Sequence, residues 1–206
     1  MTTALAFWDR IAPKYAAGPI RDMPAYEATL ARVRGLMGPE DRVLELGCGT
    51  GGTALELAPG VAAYTATDIS GAMIGIAREK AWDRGARGLD FAQAAPGTGD
   101  LPLGPFDAVL AFNLLHLLPD LPRALREIAD RMAPGGLFIS KTPCISPLSP
   151  LRPVIGAMQL VGKAPPVAYF TAANLRARIE AAGFEVIEAA RVHPTDKRPF
   201  LVARRR

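Results

Sequence analysis

The 206-residue chain is poor in cysteine, histidine and aromatic residues, with two Cys, two His and 7% Phe, Trp and Tyr. Cys48 and Cys144 show neither metal-ligand spacing nor the paired scaffold of a small secreted domain, so no metal is expected and a reducing, cytoplasmic setting is. Also missing is any uninterrupted apolar run of about 18 residues that could span a bilayer. No charged leader followed by an apolar core opens the chain, and a soluble protein is expected. Internal repeats and low-complexity segments are absent. Charge of one sign is only slightly in excess, at a net +4, and the basic residues bunch late, at Lys197, Arg198 and Arg204 to Arg206. Nucleic-acid binding would want a basic face interleaved with stacking aromatics. Only Phe200 sits in this cluster, so it reads as a solvated tail and no nucleic-acid partner is expected.

What the chain does have is apolar substance, 50% by composition, and room for one α/β domain with a substantial core. Its organising stretch runs from Asp41 to Ala58, DRVLELGCGTGGTALELA. A short β-favouring run ending at Leu46 meets a glycine-dense turn that opens a helix-patterned segment. Glycines serve where strand turns sharply into helix and where backbone must approach a ligand, because a β-carbon would collide in both places. Gly47, Gly49 and Gly52 match G-x-G-x-x-G, a pattern several nucleotide-like ligands share. Glu45 narrows the choice. A carboxylate beside the loop repels a pyrophosphate and attracts a cationic ligand, unless it only caps or pairs locally. The second strand ends at Asp68, roughly 20 residues after Gly47, the spacing at which a carboxylate can accept hydrogen bonds from both hydroxyls of a ribose. Asp68 as a mere helix-capping acid is the alternative, although Ser70 already offers that cap.

E-L-G-C-G-T-G resembles the first motif of class I S-adenosylmethionine-dependent methyltransferases. FWDRIAPKYA near the start is similar to the opening of the ubiquinone/menaquinone-biosynthesis type of small-molecule methyltransferase. The resemblance covers nearly the whole chain and implies S-adenosyl-L-methionine as cofactor, with Glu45, Gly47, Cys48, Gly49, Gly51 and Asp68 in its site. It implies that Tyr15 reaches the cofactor carboxylate and that Ile69 and Met73 line the adenine and ribose side. FDAVLAFNLLHLLPD is similar to the family's fourth motif, which implies that Phe112, Asn113 and His116 face the sulfonium and the acceptor. The pattern departs from the family at the end of the third strand, where Ala94 and Ala95 replace an acidic residue and Gln93 is the nearest polar side chain. His116 is the candidate base, since histidine suits proton transfer near neutral pH, and Tyr15 joins it among the candidate catalytic groups. Packing roles remain open for Trp8, Tyr15 and His116.

The expected fold is a doubly wound, Rossmann-like α/β domain with a seven-stranded, mostly parallel sheet and a C-terminal antiparallel hairpin. Residues 1–40 should form a helical cap, with Pro13 ending or kinking the first helix. Residues 41–142 should form the cofactor-binding core, with Ala133-Pro134-Gly135-Gly136 closing a helix ahead of a fifth strand, LFISKT. Residues 143–170 form a proline-rich insert or lid whose Val154, Ile155, Met158, Leu160 and Val161 offer apolar surface. Residues 171–206 supply the last helix and the hairpin. Methyl transfer to a small, apolar or aromatic acceptor is the expected function. An NAD-dependent oxidoreductase and a non-catalytic cofactor-binding protein are the rivals. The insert either covers the acceptor, packs on the sheet, or rests on a membrane surface, with Arg152 and Lys163 meeting anionic head groups.

Overall fold

The continuous apolar run around Val109 becomes the middle strand of a sheet buried on both faces. The computed structural model describes residues 4–206. In chain order the elements are α1 (Ala4–Ala17), α2 (Met23–Arg34), β1 (Arg42–Leu46), α3 (Gly52–Leu57), β2 (Ala63–Asp68), α4 (Gly71–Asp83) and β3 (Leu89–Gln93). They are followed by β4 (Phe106–Phe112), α5 (Leu121–Asp130), β5 (Met132–Lys141), α6 (Arg152–Leu160), α7 (Ala172–Ala181), β6 (Phe184–Ala190) and β7 (Phe200–Arg205). The strand order is β3-β2-β1-β4-β5-β7-β6. The first five strands pair in parallel, and β7 runs antiparallel between β5 and β6.

Alternation along the strands assigns each side chain to a layer. Leu44, Leu46, Val109 and Ala111 pack with Leu121, Leu125 and Ile128 of α5 and Leu175 and Ile179 of α7. Val43, Ala108 and Leu110 face the other way, onto Leu30 and Val33 of α2, Ala54 and Leu57 of α3, and Ile74 and Ala77 of α4. Two covered faces explain why β4 reads as unbroken apolar sequence rather than as an alternating one. The helices start where the capping chemistry allows. Ser70 Oγ accepts the Met73 amide at 3.1 Å, and Thr171 with Asn174 forms a capping box on α7.

Two local expectations are corrected. Pro13 does not end α1, which continues to Ala17. The proline removes one amide from the ladder, but Phe7 and Ala12 are buried and α1 packs along α4, so tertiary contact carries the helix past it. Nor is the Ala133–Gly136 turn a separate loop. β5 already begins at Met132, which pairs with Phe106, and a register shift before Ala108–Leu137 absorbs the Pro-Gly-Gly residues as an irregularity inside the strand. Among the described residues no helix is long and apolar enough to cross a membrane.

Candidate active site

The parallel strands β1 to β5 all end on one edge, and at an open sheet of this kind the crevice lies outside those ends. A cavity of about 620 Å³ occupies the edge. Gly47 and Gly49 border it from the loop after β1, Asp68 and Ile69 from the end of β2, Met73 from α4, Ala94 to Thr98 from the segment after β3, and Asn113 and His116 from beyond β4. Trp8 and Tyr15 of α1 close one side, and Pro143, Pro165 and Val167 of the insert close another.

The glycine loop is shaped by contacts that only glycine permits. Gly47 sits at φ 68°, and a β-carbon there would stand 2.9 Å from Leu114 Cδ1. Gly51, at φ 77°, turns the other way. A β-carbon on it would strike Ala77 at 2.9 Å and Phe91 at 3.1 Å, so its role is to let α3 and α4 close up behind the loop. Asp68 fastens the loop from below, where its Oδ2 accepts the Gly49 amide at 2.9 Å and its Oδ1 accepts the Ser70 amide at 2.9 Å. Burial raises its pKa. The Tyr15 ring lies over Gly49, since a β-carbon on that glycine would come within 3.4 Å of Tyr15 Cε1. Trp8 meets Tyr15 edge-on with ring centroids 6.5 Å apart, so it belongs to the cavity wall. Burial, then the Asp68 and Glu45 carboxylates, raise the Tyr15 phenol.

Four predicted residues stand off the cavity lining. Glu45 points into the layer of α2 to α4, where it is buried and accepts the Tyr64 hydroxyl at 2.9 Å on Oε2. Burial raises its pKa to about 7. Cys48 is buried too, and burial pushes its thiol far above the ordinary range, which leaves it inert. Gly51 packs as described. Gln93 is exposed and donates to the Ile69 carbonyl at 3.0 Å, bracing the loop after β2 from outside. Strand alternation turns Glu45 away, a hydrogen bond to the Ile69 carbonyl holds Gln93 outside, and Cys48 and Gly51 are taken up by packing behind the loop.

Beyond β4 the backbone does unusual work. Asn113 adopts φ 54°, a left-handed conformation asparagine tolerates better than most residues, and its amide donates to Lys141 O at 2.7 Å. Its Oδ1 accepts from Arg198 Nη1 at 2.9 Å. Arg198 in turn grips Asp196 through Nε and Nη2, both at 2.7 Å, and Asp196 pairs with the buried Lys141 ammonium at 3.0 Å. Lys141 reaches on to Thr29 Oγ1 at 2.6 Å. Burial would raise the Asp196 carboxyl, but Arg198 and Lys141 outweigh it and hold it well below the usual carboxylate range. Sequence reading missed this chain, because the Lys197-Arg198 cluster looks solvated until β7 is placed beside β5.

His116 sits in a single 3-10 turn, Leu115–Leu117. Its Nδ1 lies 3.0 Å from the hydroxyl of buried Thr142, and its carbonyl accepts the Ala168 amide at 2.7 Å. Burial lowers its pKa to about 4, so the ring is neutral at physiological pH. No cluster of residues suited to a metal occurs among the described residues.

Residues 15–189 match a family model described as methyltransferase domain. The fatty-acid O-methyltransferase of Mycolicibacterium smegmatis is 38% identical over 100 residues, which span 48% of this chain and 35% of that protein. The trichosetin synthetase PKS-NRPS1 of Gibberella fujikuroi is 31% identical over 108 residues, 49% of this chain and 3% of that protein. The matched region is thus a small part of the curated relatives' length. Among solved structures, magnesium protoporphyrin IX methyltransferase from Synechocystis PCC 6803 with bound SAH superposes with a TM-score of 0.69 at 20% identity, covering 97% of this chain and 93% of that one. At that identity the likeness concerns the fold.

Proposed function

The chain belongs to the methyltransferase-domain family, and from that premise we propose that it transfers a methyl group from S-adenosylmethionine to a small, largely apolar acceptor. The observation that carries this reading is the single cavity joining the glycine loop and Asp68 to His116 and the insert. The donor set suits the cofactor. Gly47 and Gly49 keep β-carbons out of the cradle, Asp68 presents a carboxylate toward a sugar diol, Ile69 and Met73 give apolar cover, and Tyr15 overhangs the loop where the methionyl end would lie. Glu45 acts from beneath through Tyr64 and the field it sets. Gln93 contributes by fixing the Ile69 carbonyl. The 1–40 cap, the 41–142 core, the 143–170 insert and the 171–206 ending form one domain in this proposal. A cytoplasmic setting belongs to it as well, since Cys48 and Cys144 are both free.

S-adenosylmethionine supplies an electrophilic methyl on a sulfonium, and the protein's task is to align the acceptor and exclude water. Leu114, Leu117, Leu118, Pro143 and Val167 present the apolar surface that a small acceptor requires. Neutral His116 is ready to take a proton, but its conjugate acid titrates near 4. A phenol near 10 would surrender its proton to it at a cost of about 8 kcal/mol, at 1.36 kcal/mol per unit. His116 therefore fits an acceptor that arrives ionised, such as a carboxylate, or one that sheds its proton only as the new bond forms.

The test is calorimetry followed by a turnover assay. Wild type should bind S-adenosylmethionine and not NAD, and Asp68→Ala should weaken binding by up to about a hundredfold, from the loss of about 1–3 kcal/mol of hydrogen bonding. Equal binding by Asp68→Ala overturns the site, and preferential binding of NAD overturns the function.

A further inference from the structure

The insert lines the cavity with Pro143, Pro165 and Val167 but not with α6. That helix has no buried residue. Most of its apolar side chains instead face solvent together with those of the flanking turns: Leu148 at 93% exposure, Leu160 at 84%, and Leu151, Val154, Met158 and Val161 between 41% and 66%, while Ile155 is half-buried. Residues 151, 154, 158 and 161 follow helical spacing, so they form one stripe along α6. Solvent-facing apolar surface of this extent marks an interaction site.

The charge around the stripe indicates what covers it. From Arg131 through Ile179 the chain carries no aspartate or glutamate, while Arg152 and Lys163 flank the helix and Arg10 of α1 donates to the Gly162 carbonyl at its end. Arg152 lies over the Tyr169 ring, 4.7 Å from its centroid, and donates to the Pro147 carbonyl, so its charge is held beside the stripe. An apolar stripe whose own stretch of chain carries cations and no acid is complementary to an anionic surface with an apolar interior. A protein partner would need its own apolar patch ringed by acids. A phospholipid layer provides both features over any area.

We propose that α6 and the turn before it rest on an anionic phospholipid surface, so that an apolar acceptor can enter the cavity between Pro143 and Val167 without crossing water. This rests on the methyl-transfer reading for its purpose, but the contact itself can be measured without turnover. Purified protein is co-sedimented with phosphatidylcholine vesicles with and without phosphatidylglycerol, while S-adenosylmethionine affinity and melting temperature are measured in vesicle-free solution. Wild type should pellet with the phosphatidylglycerol vesicles and be released by salt. Val154→Asp/Met158→Asp should lower the bound fraction at least about tenfold, and Lys163→Glu by about fivefold, with cofactor affinity and melting temperature unchanged. Wild type staying in the supernatant at low salt, or the double variant pelleting equally well, overturns the proposal. So does sedimentation showing a wild-type dimer that the double variant dissolves, since the stripe would then join two copies. A chain that binds vesicles but not S-adenosylmethionine would sink the methyl-transfer reading and leave the surface contact standing.

Discussion

Glu45 and His116 act on stability in opposite directions across mildly acidic pH. His116 titrates at about 4 in the fold against an ordinary 6.5. Between those values the unfolded chain holds a proton the native one lacks, so stability rises with pH. Glu45 titrates at about 7 against an ordinary 4.5. There the native state holds the extra proton, and stability falls as pH rises through that window. The two effects largely offset where the windows overlap. Glu45→Gln keeps an acceptor for Tyr64 and removes only the second effect. Its stability relative to wild type should therefore climb between pH 4.5 and 7, by up to about 3 kcal/mol at 1.36 kcal/mol per unit. Urea denaturation at several pH values checks this, and a constant difference would show Glu45 to be ionised throughout.

At the scale of elements, Asp9 and Arg10 tie α1 across the cavity. Asp9 Oδ1 accepts the Ser70 hydroxyl at 2.6 Å and the Ala72 amide at 3.2 Å, which ties α1 to the start of α4, and Arg10 ties it to the insert. Asp9→Ala should speed protease cleavage within the first forty residues several-fold, and cofactor should slow cleavage of wild type by covering Tyr15. A digestion pattern unchanged by both would make α1 a fixed part of the core. The elements themselves were largely legible. Strand, glycine turn and helix around Gly47 announced themselves through local periodicity and turn chemistry, and Ser70 and Thr171 marked helix starts in the same way. Less legible was anything decided by facing direction or by distant neighbours. Glu45 looked like a ligand contact because its strand face depends on what packs above it. Arg198 looked like solvent-exposed charge because Asn113, its partner, lies across the sheet. The α6 stripe offered apolar residues of the expected kind, yet only the fold could show that they turn away from the cavity.

For the whole molecule, the Thr29–Lys141–Asp196–Arg198–Asn113 chain joins α2, the end of β5, the β6–β7 loop and the cavity rim. Asp196→Ala leaves the Lys141 ammonium buried without its counter-ion, which should cost about 3–5 kcal/mol of stability. Arg198→Lys keeps the charge but loses the two-pronged grip, and should raise KM for the acceptor more than it lowers melting temperature. Denaturation and steady-state kinetics on the same samples separate the two effects. The position of β7 carries one more consequence, for folding. This strand follows β6 in the chain yet lies inside the sheet, pairing Leu201 with Ser140 on one side and Ala189 on the other. During synthesis β6 emerges with no neighbour to pair with, and the β5 edge stays open until Arg205 has left the ribosome. Closure must then bring together segments far apart in sequence, which makes for a slow pairing step and a transiently exposed edge.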